Sequence, residues 1–296
     1  MGTHSTPFPT LRAVAGDPLY RQALEALKPW HLSRADYDLQ VLRARLKDGP
    51  LRKHYVRPLV SDGIGAVAEL FAVARASKYV DSLHPHARGP GRKKFDARLT
   101  IGTQDLAIEV KHQSDDFPFS SRDDNWEVPG AGILHGGVRP GVDPKFTNTS
   151  PPPGATRTVP GAQIWRDTLV EAATQLPKDI PGIVAVSVDA FGGFESDIAA
   201  ALVGDSMMVG RKWSDGHITR DQERCGNGVL GLDSFRHVAA VWFFKLHPTL
   251  LPASDRYETM CVWARGCANP LATGPPLPSA IWLSLPTVWT SDGGES

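Results

Sequence analysis

Cysteine is scarce in this chain, which holds three in 296 residues: Cys225, Cys261 and Cys267. An odd number without paired spacing argues against a disulfide scaffold or a structural zinc site and favours a reducing, cytoplasmic compartment. Neither sign of charge is in excess, because 32 Lys and Arg balance 32 Asp and Glu. No global basic field advertises nucleic acid, so such a partner has to be met by a local patch. No apolar run is long enough to span a bilayer, and the N-terminus lacks the charged start and apolar stretch of a signal peptide, so no membrane is expected. There is no internal repeat, no Gly-rich phosphate loop and no nucleophile–His–acid pattern; Gly226-Asn227-Gly228 reads as a turn. At 41% hydrophobic and 22% charged residues the chain is ordinary globular material, long enough for one large domain or two small ones.

What the sequence does have is a hairpin of unusual population. Residues 94–101 and 106–111 both alternate with the period of half-buried strands. The connector Gly102-Thr103-Gln104-Asp105 is turn-forming. Pairing Ile101 with Leu106 sets Leu99 opposite Ile108 and Ala97 opposite Val110, an apolar face. The other face then carries Asp96 opposite Lys111 and Arg98 opposite Glu109. Two carboxylates and a lysine on one sheet face mark either a solvated surface or a site.

Around this hairpin the chain reads as α/β. Residues 15–44 suggest two or three short helices broken near Lys28-Pro29-Trp30. The basic run from Arg43 to Arg57 is either a solvated face or a phosphate-contacting patch. A helix over about 64–79, capped by Asp62, places Glu69 among small and apolar neighbours, where a carboxylate is costly unless satisfied or at an edge. The loop His84 to Lys94 is strongly basic and delivers Arg88, Arg92, Lys93 and Lys94 to the polar end of the hairpin. Its two histidines have the spacing of metal ligands, but Pro85 between them argues for a plain turn. From Phe117 to Gly161 patterning collapses into Pro/Gly-rich sequence, read as an unstructured insertion that forms a lid, a binding loop or disorder. Its acidic root, Asp115, Asp116, Asp123 and Asp124, is expected to stay off a phosphate backbone, while Arg139 and Lys145 reach toward one. A helix over 162–176, a buried strand over 182–188, a short helix over 197–202 and a strand over 237–244 follow. The tail from Pro248 reads as irregular with one late strand near 280–285. The expected division is a helical, partly basic region 1–58, a core 59–250 with the insertion at about 113–161, and a Pro/Trp-rich extension 251–296.

Helical Glu69, strand Asp96 and then Glu109-Val110-Lys111 resemble the signature of the PD-(D/E)xK nuclease superfamily. Asp96 lies thirteen residues before Glu109, within the usual hairpin spacing of that family, although Phe95 stands where proline is typical. The resemblance covers about half of the chain. It implies a restriction-endonuclease-like fold, a central mixed β-sheet flanked by helices. It also implies a metal-dependent endonuclease acting on DNA, of restriction or defence type, or alternatively a non-catalytic nucleic-acid-binding or assembly module on the same fold. Catalytic roles then pass to Glu69, Asp96, Glu109 and Lys111. Asp96, Glu109 and the Val110 carbonyl would ligate Mg²⁺, with Mn²⁺ able to substitute, because phosphodiester hydrolysis uses a hard cation with oxygen ligands. Gln113, next on the Glu109 face, would contact substrate beside the basic loop. A homodimer is an expectation of the same resemblance.

Overall fold

Prolines keep restarting the helices at the N-terminus. In the computed structural model, which describes residues 7–88, 94–113, 124–128, 132–136, 156–158, 160–188, 194–212, 218–224, 226–246, 261–282 and 287–289, α1 (Pro9–Ala15), α2 (Asp17–Ala26) and α3 (Pro29–Arg43) each carry proline in the first two positions. There the missing N–H has no intrahelical acceptor to lose. After α4 (Asp48–Leu51) the chain forms a π-helical segment, Arg52–Val56, in which the Arg57 N–H bonds the Arg52 carbonyl. Pro58 supplies a reason: it has no N–H to give the His54 carbonyl four residues back, so the α pattern cannot continue. Then come α5 (Arg57–Ser61) and α6 (Ile64–Ser77). The Asp62 cap is not formed; Gly63, at φ 57°, holds the cap position without a side-chain bond.

The remaining elements are β1 (Ser82–Pro85), β2 (Ala97–Ile101), β3 (Gln104–Gln113), β4 (Asp124–Val128), β5 (Gly132–Gly136), β6 (Thr156–Thr158), α7 (Pro160–Gln175), β7 (Gly182–Val188), α8 (Phe194–Val203), β8 (Ser206–Lys212), β9 (Ile218–Arg224), β10 (Val238–Leu246), β11 (Cys261–Ala268), α9 (Ser279–Trp282) and β12 (Thr287–Trp289). They divide into two compact units. Among the described residues no helix is long and apolar enough to cross a membrane.

The first unit, residues 1–115, 172–189 and 236–296, holds a mixed seven-stranded sheet in the order β1-β2-β3-β7-β10-β11-β12. The pairs β3–β7 and β7–β10 are parallel, while β1–β2, β2–β3 and β10–β11 are antiparallel. This is the expected α/β class with helices against a mixed sheet. The N-terminal helices are not a separate body, since Leu11, Leu39 and Leu59 share one core with Leu99, Ile108 and Ile183. Helix α6 packs on β3, with Gly65 beside His112.

The hairpin pairing differs from expectation by two residues. Ile101 pairs with Gln104, Leu99 with Leu106 and Ala97 with Ile108. Gly102, at φ 58°, makes a two-residue turn possible, so the ladder runs further toward the tip than a four-residue connector allows. A two-residue shift keeps every side chain on its expected face. Arg98 therefore faces Ala107 rather than Glu109, and the continued register sets Asp96 opposite Glu109 rather than Lys111.

The second unit, residues 116–171 and 190–235, corrects the reading of the insertion as unstructured. Strands β4, β5 and β6 come from that stretch and join β8 and β9 in an antiparallel five-stranded sheet, β5-β4-β6-β8-β9. β4 pairs with β5 and β6 inside the stretch, and β6 alone reaches a strand from later sequence, β8, so these short strands in Pro/Gly-rich sequence carry little local pattern. Asp205 pairs with Arg166 at 2.9 Å and accepts from the Asn227 amide at 2.7 Å. Gly228 packs so tightly on the end of α8 that a Cβ there would overlap the Leu202 carbonyl oxygen. Two further corrections concern the tail. Strand β11 lies in sequence that reads as irregular, and residues 279–282 form a helical turn where the pattern predicts a strand.

Candidate active site

Four chain segments of the first unit meet around Asp96. The residue directly precedes β2, and its Oδ2 accepts the Val110 N–H at 2.7 Å, which fastens the carboxylate to β3. Buried Phe95 anchors the preceding position. On β3, strand alternation sends Glu109 and Lys111 out of one face and Ile108 and Val110 out of the other. Glu109 is only 3% exposed, and Lys111 Nζ stands 3.3 Å from its Oε1, leaving Oε2 buried without a hydrogen-bond partner. Glu69 arrives from α6.

The strand β1 adds a residue that the sequence pattern assigns to a plain turn. The β1–β2 ladder continues past Pro85: the His86 N–H donates to the Asp96 carbonyl at 2.6 Å, and the Phe95 N–H to the Ala87 carbonyl at 3.1 Å. Pro85 thus ends an edge strand, where its missing N–H is tolerated, rather than making a loop. His86 has a positive φ of 45° and places Nε2 3.3 Å from Glu69 Oε1 and 3.2 Å from the His54 carbonyl. The His54 ring stacks on it with centroids 4.8 Å apart. One ligand atom each from Glu69, His86 and Asp96 fall within 4.8 Å of one another. His84 is exposed and takes no part in this cluster.

Tyr55 is a second residue that the sequence does not single out. It is 1% exposed and its hydroxyl has no hydrogen-bond partner. Burial raises its pKa well above the ordinary value, and the negative charges of Glu69 and Asp96 push the same way. No spacing in the sequence links Tyr55 to Glu69; the π-helical segment brings both His54 and Tyr55 to the site, as such segments often do.

The electrostatics describe acids short of positive charge. Burial, then Asp96 and Glu109, push the Glu69 carboxyl up to about 9. Burial and Asp96 push Glu109 up to about 8, against Lys111 and the Asp96 backbone amide. Asp96 is also raised by burial, with the Val110 amide, His86 and Lys111 opposing. Carboxylates at this spacing attract protons or a cation.

The structure therefore brings together Glu69, Asp96, Glu109 and Lys111. Arg88 and Lys94 are exposed and face each other in a bridge beyond β1 and β2. Arg92 and Lys93, the side chain of Gln113, and Asp115, Asp116, Asp123, Arg139 and Lys145 lie outside the described residues. Part of the basic run 43–57 is used internally: Arg43 makes a two-point pair with Asp48, and Arg52 donates to the Val14 carbonyl at 2.6 Å. No protein-family model, curated protein or solved structure matches this chain.

Proposed function

We propose that this chain is a Mg²⁺-dependent endonuclease hydrolysing phosphodiester bonds in DNA, a cytoplasmic enzyme of restriction or defence type on a restriction-endonuclease-like fold. The observation that carries the reading is the convergence of Asp96, Glu109 and Lys111 on neighbouring strands with Glu69 beside them. Glu109 presents an unpartnered buried oxygen, and two of the carboxyls are held near 8 and 9. An oxygen-rich set short of positive charge fits a hard divalent cation. Asp96, Glu109 and the Val110 carbonyl would hold it, and Mn²⁺ would substitute.

A bound cation of this kind supplies Lewis acidity toward the scissile phosphate and acidifies a water. The chain's own residues do the rest. The Val110 N–H fixes Asp96 Oδ2, so one ligand is preorganised before substrate arrives. Lys111, paired with Glu109 at 3.3 Å, orients the attacking water and offsets charge on the phosphoryl oxygens. Exposed Arg88 and Lys94 meet the DNA backbone. Cutting two strands would use two copies of the chain.

The test is incubation with plasmid DNA in Mg²⁺ and in chelator, with end analysis of the products. Cleavage is expected with Mg²⁺ alone. Asp96→Asn, Glu109→Gln and Lys111→Ala should each lower it about 100-fold or more while the fold is retained. Full activity in any two of the three would remove this assignment.

A further inference from the structure

The Asp96–Glu109 set leaves His86 and Glu69 unexplained, and their geometry is awkward for a simple hydrogen-bonded pair. A neutral imidazole has one N–H to give. Nε2 of His86 nevertheless faces two oxygens at nearly equal range, the His54 carbonyl at 3.2 Å and Glu69 Oε1 at 3.3 Å. The hydrogen bond goes to the carbonyl, and Glu69 Oε1 remains buried without one. The 3.3 Å between His86 Nε2 and Glu69 Oε1 suits two adjacent ligands of one ion. Atoms bound at about 2.2 Å stand about 3.1 Å apart when adjacent and about 4.4 Å apart when opposite. The Glu69, His86 and Asp96 ligand atoms lie within 4.8 Å of one another, so a closure of a few tenths of an ångström brings all three onto one ion. Tyr55 lies beside this cluster, its ring centroid 6.3 Å from that of His86, and its buried hydroxyl has no hydrogen-bond partner.

We propose that Glu69, His86 and Asp96 form a second cation site, sharing Asp96 with the Asp96–Glu109 set, that takes a borderline transition metal such as Co²⁺ or Zn²⁺ in preference to Mg²⁺. The preference follows from the donors. Mg²⁺ favours oxygen ligands and sheds water reluctantly, whereas an imidazole nitrogen suits the later first-row metals. The imidazole is held in place from two sides, since the His86 backbone N–H is fixed to the Asp96 carbonyl at 2.6 Å and the His54 ring stacks at 4.8 Å. On metal binding the remaining proton of His86 moves to Nδ1, and the Nε2 bond to the His54 carbonyl is given up. The site concerns metal binding and stands whether or not the chain cleaves DNA.

The experiment uses the full chain stripped of metal, titrated with Co²⁺ and followed by visible absorption, then with Mg²⁺ by calorimetry. Co²⁺ should bind with bands shifted from those of the aqueous ion, and excess Mg²⁺ should not displace it. His86→Ala and His86→Gln should each weaken Co²⁺ binding about 100-fold or more and leave Mg²⁺ affinity unchanged. Glu109→Gln should do the reverse. Thermal melts of the stripped variants verify folding, and the glutamine variant retains a polar group where alanine proves too disruptive. Unchanged Co²⁺ affinity in a folded His86 variant, or displacement of Co²⁺ by Mg²⁺ on equal terms, overturns the site. Plasmid cleavage on the same preparations is scored separately, so a protein that binds Co²⁺ as expected but cuts nothing sinks the nuclease reading alone.

Discussion

Tyr55 shows how a side chain can be poor for stability and useful in a site. Its hydroxyl is fully buried and makes no hydrogen bond, and an unsatisfied group of that kind costs about 1–3 kcal/mol. Removing only the oxygen leaves the ring packing in place. Tyr55→Phe is therefore expected to raise the stability of the metal-free protein by about 1 kcal/mol and to lower plasmid cleavage, measured by denaturant melts and initial rates on one preparation. A variant that loses stability would mean the hydroxyl has a partner after all. The carboxylates are legible in the sequence because strand alternation and spacing are local facts. Tyr55 and His86 are not: one depends on a helix irregularity forced by Pro58, the other on Pro85 ending a strand in a stretch rich enough in glycine and proline to read as a loop.

At the scale of elements, the β2–β3 hairpin is readable in type and in facing but not in register. Alternation determines which side of a sheet a residue joins, while the turn decides which residue it meets. Gly102 is the deciding residue, since its φ of 58° lies where side chains with a Cβ are strained, although nothing within 4 Å would obstruct one. Gly102→Ala should cost about 1–2 kcal/mol through backbone strain alone, with Gly102→Asn costing less. Denaturant melts of the two variants decide this; equal losses would indicate a packing cause. Strand β11 is hidden because the Pro-rich sequence on both sides of it obscures its boundaries. The β4–β6 stretch is hidden because its strands are short and set in Pro/Gly-rich sequence, and because the strand that ties them to the rest of the sheet, β8, follows only after α7, β7 and α8.

For the molecule as a whole, the buried acids tie stability to pH. Glu69 and Glu109 ionise near 4.5 when unfolded, but in the folded protein they hold their protons up to about 9 and about 8. Between those limits the folded state carries more protons than the unfolded one, so stability falls as pH rises. Metal-free protein should accordingly melt at progressively lower temperature from about pH 5 to about pH 9, and saturating Mg²⁺ or Mn²⁺ should flatten the trend by stabilising the carboxylates. A melting temperature that climbs over this range in chelator would contradict the burial of these acids. The same unit has a consequence for synthesis. Every side chain named in the two cation sites lies before residue 114, yet β7, which hydrogen-bonds to the Glu109 strand, begins only at Gly182. A chain emerging from the ribosome thus carries its complete set of ligands well before the strand that braces them exists. The bare flank of β3 has to wait until all of the second unit's first segment has been made, so competence is deferred to the later half of translation.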